Sequence, residues 1–200
     1  MEYTSTLLNR ECSVLVVVDM QEPFLSAIKV RDIIEHNIAF LIQAAKLLHV
    51  PVLATLQNRE RLGEIIPALQ SLLPEYTAPL DKLCFSCMRA APFTKAIQEA
   101  ARQQVVLTGI EAHICVMQTA LDMLKAGYQV HVPYDAVASR GKPEWKYALL
   151  RLQQAGVIIT SVESVTYEWL QQAGTDEFRQ LLPLIKEREQ FLRKVRESSD

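Results

Sequence analysis

Two hundred residues, half of them apolar, are enough to bury one sizeable core, which predicts a single domain over 1–200. A formal charge of −2 and an isoelectric point near 6.1 give no electrostatic case for a nucleic-acid partner or an anionic membrane. No apolar run approaches the roughly 18 residues of a membrane span. Four cysteines (Cys12, Cys84, Cys87 and Cys115) are too few and too unevenly spaced for a disulfide framework in a chain this long. The N-terminal MEYTSTLLNREC lacks a basic stretch followed by a long apolar one, so no secretion signal is expected and a reducing cytoplasm fits.

In chain order, Ser13 to Val18 is a continuous apolar run ending at Asp19, which predicts a strand buried on both faces of a parallel sheet. The segment MQEPFLSAI is a loop containing Pro23. A helix follows from about Asp32 to His49, with Ile34, Ile38, Leu41, Ala45 and Leu48 on one face. Pro51 to Leu56 is the second strand, with Gln57 at its tip. Residues 58–81 read as irregular, with room for one or two helical turns around Ala68–Leu73. A connection this long in a compact domain suggests a functional loop.

Lys82 to Phe85 reads as a short strand or edge segment, and Pro92 opens a helix running to about Arg102. The stretch VVLTGIEAHICVMQTAL then supplies a β-branched strand at Val105–Thr108, broken by Gly109, Ile110 and Glu111. Helical spacing resumes from about Ile114 and runs to Gly127. This places Cys115 at or just inside the first turn of a helix, where unpaired N–H groups and the helix dipole favour a thiolate. Tyr128 to Val132 is another strand, followed by the loop DAVASRGKP and a helix from near Pro143 to Gly156. Val157 to Ile159 is the last strand. Thr160 to Glu163 offers a capping box for a helix through Leu170. Residues 176–197 read as one or two helical segments interrupted near Pro183, with Phe191, Leu192 and Val195 among charges suited to a partner subunit.

The alternation predicts a doubly wound α/β fold of three layers, with the site beyond the carboxyl ends of the strands. Asp19, Lys82 and Cys115 lie at such ends or in nearby loops. Separately each has a bland reading, as a turn residue, a solvated lysine and a buried thiol. Jointly they supply a nucleophile, a base for its proton and a cation for its thiolate. Cys84 and Cys87 form C-F-S-C, which keeps a redox protein as a rival; a zinc site would need two further ligands. A non-catalytic interaction module that kept the fold is the other rival.

The combination VLVVVDMQEPF, the lysine in PLDKLCFS and VVLTGIEAHICVMQTALDMLKAGYQVHVPYDAVASR resembles the isochorismatase-like cysteine hydrolases, over about residues 11–170. It is most similar to the isochorismatase-domain-containing group. The resemblance implies a Rossmann-like sheet of six parallel strands flanked by helices, with a helical extension over about 175–200. It implies a catalytic set of Asp19, Lys82 and Cys115. It also implies a cis peptide at Ile110–Glu111 that aims the Glu111 N–H, with that of Cys115, into an oxyanion hole. Gln21, Phe24, Gln57 and Ile110 fall where relatives line the substrate pocket. Nicotinamidases of the superfamily carry an Asp/His metal cluster after the second strand. Here TLQNRERLGEI offers only Glu60 and Glu64, so neither a metal nor another cofactor is expected. Siderophore-pathway isochorismatases cleave a vinyl ether without a cysteine, so Cys115 points to acyl transfer on a small amide or related compound. The family's habit of association implies a homo-oligomer, a dimer or tetramer.

Overall fold

The computed structural model describes residues 7–198. Strand β1 (Ser13–Val18) has all six residues buried and packs on both faces. Leu15 and Val17 enter one apolar cluster, and Val14, Val16 and Val18 the other, which is the period-2 alternation of a central strand. A one-turn helix α1 (Glu22–Leu25) and the long α2 (Arg31–Leu47) lead to β2 (Val52–Gln57). The irregular segment holds two single-turn helices, α3 (Arg59–Leu62) and α4 (Pro67–Gln70), before β3 (Leu80–Lys82). Then come α5 (Ala91–Glu99), β4 (Gln104–Ile110), α6 (Met117–Lys125), β5 (Gln129–Pro133) and β6 (Val137–Ala138). The chain closes with α7 (Lys142–Gln154), β7 (Ile158–Thr160), α8 (Val162–Leu170) and α9 (Asp176–Glu197).

The sheet runs β3-β2-β1-β4-β5-β7, all parallel, and the short β6 pairs with β4. One face is covered by α2, α8 and α9 and the other by α5, α6 and α7, giving the expected three layers. The chain winds outward from β1 to β3, returns to β4 and winds the other way. The crevice between the ends of β1 and β4 is therefore the topological switch point.

Four expectations need correction. The strand at the lysine is Leu80–Lys82, so Lys82 ends it rather than begins it. Gly109 and Ile110 do not break the fourth strand but belong to it, because β6 supplies a further parallel partner for them. Helix α9 runs through Pro183 without interruption. Proline there removes one backbone hydrogen bond, while Leu181, Ile185 and Arg188 bury the same helix against the core. Finally, Phe191 does not await a partner: it stacks on His36 of α2 with ring centroids 4.0 Å apart.

Candidate active site

β1 and β2 run side by side, and β2 pairs with β3 so that Gln57 stands opposite Lys82. Three strand ends thus bring Asp19, Gln57 and Lys82 together. Asp19 leaves β1 in the left-handed region, with φ of 51°, which aspartate tolerates better than most residues. Its N–H donates to the Thr55 carbonyl at 3.2 Å and its carbonyl accepts from Gln21 N–H at 2.7 Å, fixing the turn. The Lys82 ammonium then donates to Asp19 Oδ2 at 2.7 Å and to Gln57 Oε1 at 2.6 Å. Thr55 Oγ1 donates to the other carboxylate oxygen, Oδ1, at 2.8 Å.

This pair is dry. Asp19 is 0 % exposed and Lys82 4 %, so each charge rests on its partners rather than on water. Burial opposes the ammonium, but Asp19 and the two neighbouring thiols outweigh it and hold Lys82 above its ordinary value.

The fourth element is β4. Val18 pairs with Gly109, and a Cβ at Gly109 would lie 2.1 Å from the Val18 carbonyl oxygen. Only glycine lets β1 pass that close, and its φ of +106° is also one that glycine alone adopts easily. The next peptide, Ile110–Glu111, is cis. The chain then makes a wide π-helical turn, Ala112–Val116, with the Glu111 carbonyl accepting from Ile114 and Val116 N–H groups. Cys115 sits in this turn, ahead of α6 rather than inside its first turn.

The thiol is 5 % exposed, and the Asp19 carboxylate is its charged neighbour. Burial first, and then Asp19, push the Cys115 thiol well above its ordinary range; Lys82 acts the other way without reversing them. The expectation of a resting thiolate is therefore corrected. A helix N-terminus lowers a thiol pKa, but here desolvation and a like charge exceed it. At neutral pH the residue rests as a thiol beside a carboxylate able to take its proton.

The other named residues fall around this centre. Gln21 is buried, and its side-chain amide clamps backbone: Oε1 accepts from Gln57 N–H at 2.8 Å, and Nε2 donates to the Gln57 and Gly63 carbonyls at 3.1 and 2.8 Å. It holds Gln57 in place. Gln57 itself donates to the Leu83 carbonyl at 2.9 Å while accepting from Lys82. Phe24 is half-buried on α1, and Ile110 is fully buried in the core on the α2 side. The Glu111 carboxylate is gripped by Arg140, through its backbone N–H at 2.9 Å and its guanidinium. Burial works against that carboxylate, yet Arg140 holds it below the usual range.

The sequence does not single out Thr55 or Arg140, and it offers Cys87 only as half of a redox pair. Thr55 carried a signal, since residues two apart on a strand share a face and Gln57 was already singled out. Cys87 is buried, with its thiol 3.8 Å from Thr55 Oγ1 and its N–H donating to Thr119 Oγ1 at 2.9 Å; burial raises it to about 11. Cys84 lies apart, half-buried, with its thiol 3.4 Å from the Arg89 carbonyl. All four cysteines are free, so C-F-S-C is not a disulfide here. Among the described residues no three His, Cys, Asp or Glu side chains are grouped to share a metal ion, and Glu64 is paired with Arg59. No described helix is long and apolar enough to cross a membrane.

The model of the isochorismatase domain matches residues 13–164. The chain is 39% identical over 181 residues to a Phytophthora sojae protein named secreted isochorismatase effector Isc1, covering 88% of this chain and 85% of that one. It is 36% identical to isochorismatase domain-containing protein 2 of Danio rerio, covering 89% of each. A Caenorhabditis elegans structure described as MAR1 ribonuclease superposes with a TM-score of 0.84 at 37% identity, over 90% of this chain and 92% of that one.

Proposed function

The chain belongs to the isochorismatase family, and from that premise we propose that it hydrolyses a small amide or related acyl compound through Cys115. One observation carries the reading: a buried ammonium–carboxylate pair, Lys82 and Asp19, placed beside a buried thiol at the switch point of the sheet. A charge pair that dry is poor evidence of stability, and its perturbed surroundings in a crevice are the mark of a chemical site.

In the proposed sequence Asp19 takes the Cys115 proton as sulfur attacks the substrate carbonyl carbon. The oxyanion of the tetrahedral adduct accepts from the Glu111 and Cys115 N–H groups. The C–N bond breaks, the amine leaves with the proton returned by Asp19, and a thioester remains on Cys115. Water then attacks the thioester with Asp19 again as base, which releases the acid and restores the thiol. Lys82 balances the negative charge as it moves between Asp19 and sulfur. Gln57 holds Lys82, Gln21 holds Gln57, and Phe24 forms an apolar side of the acyl site, whereas Ile110 is packed into the core on the α2 side.

The test is a turnover screen of small aliphatic and aromatic amides and carbamoyl compounds, run with wild type and Cys115→Ala. A short RNA belongs in the same screen because of the name attached to the Caenorhabditis elegans structure, although a net charge of −2 offers RNA little attraction. Support is amide turnover that vanishes in Cys115→Ala, with the acyl mass trapped on the Cys115 peptide. Turnover that persists in Cys115→Ala rejects the mechanism.

We further propose a homo-oligomer, either dimer or tetramer, acting in the cytoplasm, where free thiols persist. Light scattering that finds only a 22.7 kDa species at micromolar concentration rejects the oligomer. The Phytophthora relative is named as secreted, so fractionation of the source cells tests the location.

A further inference from the structure

An apolar hollow lies away from the thiol. A cavity of about 410 Å³ opens between the start of α2 and the connection from β5 to α7. Val30, Ile33 and Ile34 form one wall, and β6 contributes Val137 and Ala138 to the floor. The opposite wall is an aromatic pair, Tyr134 and Trp145, meeting edge to face with centroids 6.4 Å apart. The Trp145 indole N–H already donates to the Tyr134 carbonyl at 3.2 Å. The indole N–H is therefore already satisfied, and the pair presents ring surface to an occupant.

The rim is positive. Lys29, Arg140 and Lys142 border the opening, and Lys29 and Lys142 have no ion-pair partner among the described residues. Asp135 is the one carboxylate in the lining, and its charge is met elsewhere. Its Oδ1 accepts from Val162 N–H at 2.8 Å, and its Oδ2 accepts from the Arg188 guanidinium at 3.0 Å. An apolar hollow with convergent cations at its mouth has the make-up of a small-molecule site, and its volume lies toward the small end of the roughly 300–1,000 Å³ such sites span.

We propose that this cavity binds a small organic anion, an aromatic or branched-aliphatic body carrying one carboxylate, at a place separate from the cysteine. The apolar body packs between the α2 wall and the Tyr134–Trp145 pair, and the carboxylate lies toward Lys29 and Lys142. None of Asp19, Gln57, Lys82 or Cys115 lines the cavity. It nonetheless touches the cysteine's segment through two neighbours. Ser139 Oγ is 2.9 Å from His113 Nδ1, and Arg140 holds Glu111.

Calorimetric titration of the full chain tests the site with two probes of one shape, phenylacetate and the neutral 2-phenylethanol. Phenylacetate is expected to bind one per chain and at least tenfold more tightly than 2-phenylethanol. The double variant Lys29→Glu/Lys142→Glu changes two exposed side chains and should fold; it should weaken phenylacetate at least tenfold. Cys115→Ala should bind phenylacetate within twofold of wild type, which keeps this result independent of the hydrolase reading. Equal affinity in the double variant, equal affinity for the neutral probe, or loss of binding in Cys115→Ala overturns the proposal. So does self-association that the double variant abolishes, since the cavity would then be a contact between copies.

Discussion

Asp19→Asn separates two consequences of the buried site that ordinarily move together. The substitution keeps the shape of the side chain but removes the charge that, after burial itself, most raises the Cys115 thiol. It also leaves the Lys82 ammonium, 4 % exposed, facing the thiol with no carboxylate to balance it. Both changes favour the thiolate. One charge at contact range in a buried site is enough to raise the thiolate population about 100-fold at fixed pH. A less basic thiolate is also a weaker nucleophile, which with a Brønsted slope near 0.5 takes back about tenfold. Net alkylation of Cys115 by iodoacetamide at pH 8 should therefore be about tenfold faster in Asp19→Asn. Amide turnover should fall by about 10²–10⁴, the usual contribution of a general base. Peptide mapping after timed labelling reads the first quantity, with exposed Cys12 as internal reference. In wild type, Cys12 and the half-buried Cys84 should label before Cys115. A folded Asp19→Asn in which Cys115 labels more slowly, or no faster, would refute this account of the thiol.

Gly109→Ala forces a Cβ to within 2.1 Å of the Val18 carbonyl oxygen, and should destabilise by about 3 kcal/mol or more, a loss of about 6–12 °C in a thermal melt; an unchanged melt would refute the close approach. Lys82→Met leaves a buried carboxylate unpaired and should lower stability by about 3–5 kcal/mol in urea titration, with an unchanged midpoint as the contrary result. Burial pushes His131 down to about 4, against about 6.5 when unfolded, so its share of stability is complete above pH 6.5 and is lost as pH falls through 4. That amounts to about 3 kcal/mol, and His131→Leu should shift acid unfolding, followed by circular dichroism, to lower pH. Hydrolysis should survive EDTA; loss on chelation with recovery on a divalent ion would show a metal requirement.

What the chain discloses by itself follows from how local each signal is. The run Ser13–Val18 announces a central strand because two-sided burial needs apolar residues at every position, and its last neighbour, Asp19, is conspicuous for that reason. Strand β6 is two residues long and exists only through pairing with β4, so nothing near Val137 signals it. The sequence puts Lys82 at the start of its strand because Pro79 masks the short pairing of Leu80–Lys82 with β2. The acidity of Cys115 is hidden for a related reason. The helix N-terminus is visible in sequence, whereas burial and the approach of Asp19 from the far side of the switch point are tertiary facts. Thr55 illustrates the middle ground: its strand face is legible, but its carboxylate partner is 36 positions away.

Strand β3 is three residues long and stands at the edge of the sheet, yet it brings the cation that Asp19 depends on. An edge held through one neighbour can open while the centre of the sheet stays closed. Detachment of Leu80–Lys82 from β2 would carry the ammonium away from Asp19, admit water to a carboxylate that is now dry, and free Gln57 as well. Under the proposed mechanism the molecule would then remain folded by every global measure and be chemically silent. Its working fraction is therefore governed by the local free energy of an edge, and slow amide hydrogen exchange at Lys82 is the quantity that reports it.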